Sequence, residues 1–110
     1  MESERPDARA HLASLIGMTI ATLTREKPNR ILYLDGSAVI VATERSPSGE
    51  RVEIADVEAA FDRLGAGEEV EVSIGSLGHR SAFVGAVLAT LPSAVVLPTR
   101  PRRVRLRDRR

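Results

Sequence analysis

The sequence predicts an α+β domain: an N-terminal helix, a three-stranded antiparallel meander, and a second half built as helix, strand, short helix, helix, β-hairpin. Three observations carry this. Residues 18–43 contain three strand-like runs separated by turn residues. The segment from Ile54 to Leu64 repeats apolar residues at helical spacing, and so does the segment from Arg80 to Leu91. Residues 94–106 hold two β-rich runs around a Thr99-Arg-Pro-Arg102 tip. At 110 residues the chain is long enough for one modest core. That core must be aliphatic, because the aromatics are only Tyr33, Phe61 and Phe83.

Residues 1–6 are expected to be disordered, and residues 7–107 to form one compact domain. Asp7 is positioned to cap a helix running to about Gly17, with Ala8, Leu12, Leu15 and Ile16 on one face. The meander then uses Met18–Thr24, Arg30–Asp35 and Ala38–Thr43. The third run, Ala-Val-Ile-Val-Ala-Thr, is β-branched enough to be buried on both faces. Lys27-Pro28-Asn29 reads as the first turn, and Asp35-Gly36 as a type I′ hairpin turn, which needs positive φ. Arg45–Glu50 reads as a loop from its Pro and Gly content. The helix-plus-meander part therefore spans residues 7–44 and the second half residues 52–107.

In the second half, Ile54, Val57, Phe61 and Leu64 line one helix face, and Asp56 and Glu58 sit where the helix dipole favours anions. Glu69–Ser73 alternates as a short strand, and Ile74–Gly78 forms a brief helical turn. The element order is that of a winged helix, so the second half is expected to be winged-helix-like.

In such a unit Arg80–Leu91 would be the recognition helix. Phe83, Val84, Val87, Leu88 and Leu91 form one apolar face; Ser81, Ala82, Gly85, Ala86, Ala89 and Thr90 form a small, uncharged one. Gly85 costs a helix about 1 kcal/mol relative to Ala, so a close neighbour is expected there. Either the small face enters a DNA groove, with His79, Arg80 and Ser81 meeting phosphate or a base edge, or it packs inside the protein. The small face lacks the long polar side chains that read bases.

Charge points to the hairpin. Residues 98–110 carry seven arginines and one aspartate, net +6, whereas residues 1–97 carry net −5. A basic block on an acidic body suits a polyanion. Arg103-Val-Arg-Leu106 alternates, placing two arginines outward and two aliphatics inward. Arg100, Arg102, Arg103 and Arg105 are therefore candidate phosphate contacts, and residues 108–110 a basic tail. The competing explanations are an edge strand guarded by charge and a general Arg bias, since fifteen of the sixteen Lys and Arg residues are Arg.

The segments Arg45-Ser-Pro-Ser-Gly49, Val52–Leu64 and Leu77-Gly-His-Arg-Ser-Ala-Phe-Val-Gly-Ala-Val-Leu-Ala-Thr-Leu-Pro92 resemble the N-terminal head domain of McrA-like type IV HNH restriction endonucleases. The resemblance runs from about Leu12 to Leu106. It implies DNA binding or assembly with other nuclease domains, as an accessory module of a bacterial restriction or defence system. It does not imply cleavage, because the nuclease motif lies elsewhere in such enzymes.

Catalytic patterns are missing. His11 and His79 are isolated, and no paired-His zinc motif, phosphate loop or Ser/His/Asp set can be assembled. Glu69 and Glu71 are expected on a solvent face rather than as a catalytic pair. Without cysteine there is neither a disulfide nor a thiolate metal site. No cofactor or metal is expected, and no enzymatic activity. The start of the sequence lacks a signal-peptide pattern and no run is long enough to span a membrane, so a cytoplasmic protein is expected. The expected partner is double-stranded DNA. The alternative is a protein-interaction module, possible partners being a nuclease domain or a second copy, docking through the meander or the small face of the Phe83 helix.

Overall fold

The computed structural model describes residues 7–107; the expectations for residues 1–6 and 108–110 lie outside that range. Helix α1 (Ala8–Ser14) starts as its sequence dictates, with Asp7 Oδ1 accepting from the backbone N–H of Arg9 at 3.1 Å and Ala10 at 3.3 Å. It stops short of Gly17. Gly17 has φ +87°, and its N–H donates to the Ile31 carbonyl at 2.7 Å, so this residue is already attached to the sheet.

The first sheet has four strands in the order β1-β2-β3-β4: β1 (Thr19–Ala21), β2 (Pro28–Asp35), β3 (Ala38–Ala42) and β4 (Glu50–Glu53), all antiparallel. The expected three-stranded meander is thus corrected by one strand. In β4 only Val52 faces the core, paired with Val39, while Arg51 and Glu53 are exposed. One apolar residue among four gives no readable alternation.

Both turns of the meander also differ from expectation. The first is Thr22–Lys27, not Lys27–Asn29. Thr22 Oγ1 accepts from the Lys27 N–H at 2.9 Å, and Glu26 takes φ +55°. Pro28 opens β2, a position that tolerates its missing N–H. In the second turn Asp35 pairs with Ala38, leaving Gly36-Ser37 as the loop. Gly36 has φ +61° and Ser37 is not in the positive-φ region, which is a type II′ pattern rather than type I′. In β3, Ala38 through Val41 are buried on both faces, as its composition predicts.

Helix α2 (Ile54–Gly65) follows β4 directly, burying Ile54, Val57, Ala60, Phe61 and Leu64. Strand β5 is only Val70–Glu71, because Ser73 instead caps helix α3 (Ile74–Leu77), its Oγ accepting from the Ser76 N–H at 3.3 Å. Then come α4 (Ser81–Ala89), β6 (Ala94–Leu97) and β7 (Arg103–Leu106). The second sheet has the antiparallel order β5-β7-β6. One hydrophobic core unites both sheets with α1, α2 and α4. Leu12, Ile31, Val41, Leu64, Leu88 and Val104 all belong to it.

The packing of α4 decides between the two readings of that helix. Residues 83–88 are buried without a break, so the apolar face is covered and so is the middle of the small face at Gly85 and Ala86, while Ala82 stays exposed and Ala89 and Thr90 half-buried. Gly85 explains itself: a Cβ there would collide with both methyl groups of Val72, which follows β5.

Candidate functional site: a basic hairpin and a polar cleft

The candidate residues fall in two places. Arg100, Arg102, Arg103 and Arg105 lie on the β6–β7 hairpin; His79, Arg80 and Ser81 lie at the start of α4. The hairpin forms because Val104 drops into the core while Arg103 and Arg105 alternate to the other face. Val72 donates its N–H to the Arg102 carbonyl at 2.8 Å, which extends the β5–β7 pairing and fixes the root of the loop. Arg100 and Arg107 are exposed; Arg102, Arg103 and Arg105 are partly so.

These arginines are not electrically equivalent. Arg103 sits between Glu69 at 4.0 Å and Glu71 at 3.6 Å, its charge offset by both. Those two carboxylates are the solvent-facing pair the alternation of β5 predicts. Arg100, Arg102, Arg105 and Arg107 have no carboxylate within ion-pair distance among the described residues.

At the other place, a cleft of about 390 Å³ opens between the first sheet and the start of α4. His79, Arg80 and Ser81 line it, and the hairpin arginines do not. The two groups of candidates therefore do not share this cleft. Arg80 Nη1 lies 2.7 Å from Glu50 Oε1, across the cleft. Thr43 Oγ1 donates to the other Glu50 oxygen at 3.3 Å. Ser81 is only 9% exposed and faces the cleft rather than open solvent. His79 is exposed at its rim.

The cleft also gathers residues that sequence reasoning missed. Three buried residues among those described are polar, Thr22, Asn29 and Ser81, and all three line it, of which only Ser81 is a sequence-derived candidate. One signal for Asn29 was present: it stands two residues before Ile31 on a strand, so it shares the core-facing side. Thr22 and Thr43 gave none, since each sits where a strand ends.

His11 belongs to neither place. Its Nε2 lies 2.7 Å from Thr90 Oγ1, and its ring is tilted against Phe61 at 5.9 Å. It is a packed histidine tying α1 to the end of α4. Among the described residues no group of three or more His, Cys, Asp or Glu is arranged to hold a metal ion, and no helix is long and apolar enough to cross a membrane. No protein-family model, curated protein or solved structure matches the chain at a significant level.

Proposed function

We propose that the chain is a non-catalytic DNA-binding module whose winged-helix-like half grips duplex phosphates with its hairpin. The strand order supports the wing: β7 returns to pair with β5, which precedes the helices, so the hairpin folds back beside them. The observation that carries the proposal is the set Arg100, Arg102, Arg105 and Arg107, all on one ribbon and none offset by a described carboxylate. Guanidinium forks suit phosphate oxygens.

The same geometry changes how such a module binds. Helix α4 is buried from Phe83 to Leu88 and its exposed Ala82 carries no polar group, so base reading by that helix is not proposed. Arg80 and Arg103 already face carboxylates and add little attraction. Binding is then phosphate-dominated and tolerant of sequence. This fits an accessory domain of a restriction or defence nuclease, the role the family resemblance implies.

Fluorescence anisotropy on short duplexes across a salt series tests it. With about 2–4 phosphates neutralised, log K should fall against log salt with a slope near −2 to −4. Absence of binding even at low salt would end the proposal.

The docking alternative keeps one of its two surfaces. The middle of the small face of α4 is occupied at Gly85 and Ala86, but Met18 and Tyr33 in the meander region remain about half exposed, at 51% and 52%. A stable dimer in light scattering, indifferent to DNA, would favour it.

A further inference from the structure

We infer that the cleft between the first sheet and α4 is a binding site for a nucleobase carrying a phosphate, either a free mononucleotide or an unpaired base of a nucleic-acid strand. Polar groups inside a core are normally satisfied by neighbours, because an unmet hydrogen bond in a dry interior is costly. Here no deeply buried side-chain nitrogen or oxygen lacks a partner among the described residues. Yet Asn29 makes one long bond, Nδ2 to the Lys27 carbonyl at 3.4 Å, and its Oδ1 accepts none; Ser81 Oγ makes no bond at all among the described residues. Both residues are more than nine-tenths buried. Their unused atoms therefore open onto the cleft that both residues line.

The chemistry of the walls selects the ligand. Asn29 offers an acceptor and a donor in one plane, the pattern that matches the edge of a heterocyclic base, and Ser81 adds a hydroxyl that serves as either. Val41, Val52, Val72 and Phe83 supply apolar walls for a flat ring. Arg25 stands at the rim, exposed and with no carboxylate within ion-pair distance among the described residues, suited to a phosphate. The volume of about 390 Å³ is within the usual range for small-ligand sites. A bare anion would leave the apolar walls and the Asn29 amide unused. A purely apolar ligand would bury Asn29 and Ser81 unpaired.

The site stands apart from the hairpin, and so does its test. Amide and side-chain resonances are followed by NMR while mononucleotides, nucleosides or inorganic phosphate are added at millimolar concentration. The expected result is saturable shifts at Asn29 and Ser81 with a mononucleotide, weaker ones with the nucleoside, and none there with phosphate alone. Asn29→Ala and Ser81→Ala, each shown to be folded by its dispersed spectrum, should weaken the mononucleotide about tenfold, the cost of one unmade hydrogen bond. The Arg102→Ala/Arg105→Ala variant should bind it unchanged while losing duplex affinity. Adding a short single strand, with and without an abasic position, separates the two sources: shifts that need the base assign the site to nucleic acid, and shifts confined to the free mononucleotide assign it to that. Silence at Asn29 and Ser81 with every base-bearing ligand, or an identical response to phosphate alone, overturns the inference.

Discussion

Arg80 and Glu50 join the two halves of the molecule through a 2.7 Å ion pair that crosses from the start of α4 to β4. Glu50 is the less exposed partner, at 24% of its side chain, and its second oxygen is held by Thr43. Removing Arg80 leaves a partly buried carboxylate with one neutral partner. Arg80→Gln should therefore destabilise the fold by about 1 kcal/mol, solvent at the half-exposed arginine limiting the loss. Its effect on duplex affinity should be small, because the charge is already offset. Urea unfolding beside DNA titration checks both halves of this; a large affinity loss at unchanged stability would reverse the assignment.

That pair also marks where sequence reasoning stops. Ile54, Val57, Phe61 and Leu64 announce α2 because helical spacing needs only one chain segment to be visible. The Asp7 cap is equally local. Strand β4 was invisible because its evidence is its neighbour: Val52 belongs to a sheet only once Val39 lies beside it. The cleft is less legible still. Thr22, Asn29, Glu50 and Ser81 come from four separate stretches, and each alone looks like a turn, a strand end or a helix start. Arg103 looked like its fellow arginines until β5 brought Glu69 and Glu71 alongside.

Gly85 supplies a test of packing. Alanine has the better helix propensity by about 1 kcal/mol. At this position its Cβ runs into both Val72 methyls, on a residue tied to the hairpin by its N–H. Gly85→Ala should thus destabilise by about 1–3 kcal/mol, the usual cost of overpacking. Adding Val72→Ala should recover part of the loss, a coupling that a double-mutant cycle in denaturant measures. Additive losses would show that the close approach is not what the glycine accommodates.

The inequality among hairpin arginines predicts an inequality among variants. Arg102→Ala and Arg105→Ala should each lower duplex affinity across unrelated sequences and make the salt slope shallower by about 1. Arg103→Ala should do less, because it removes a cation already shared by Glu69 and Glu71. Glu71→Gln should do the opposite of the arginine changes, tightening binding by freeing Arg103. Equal losses at all three arginines would mean that the phosphates outcompete the carboxylates.

His11 gives the fold an acid-sensitive contact whose sign is fixed by its surroundings. Thr90 Oγ1 spends its proton on the Val87 carbonyl at 2.6 Å, so at 2.7 Å it must accept from His11 Nε2–H. The neutral ring with its proton on Nε2 satisfies that bond. Burial disfavours the imidazolium and lowers the His11 pKa from its ordinary 6.5. The unfolded chain therefore takes up this proton at a higher pH than the folded one. The resulting stability is fully present above the ordinary value and is lost as pH falls through the depressed folded-state value. Urea midpoints measured from about pH 8 down to about pH 5 should fall in the wild type through this window. In His11→Gln, which has no titrating ring, that part of the fall should vanish. A His11 resonance that titrates at or above 6.5 in the folded protein would contradict the assignment.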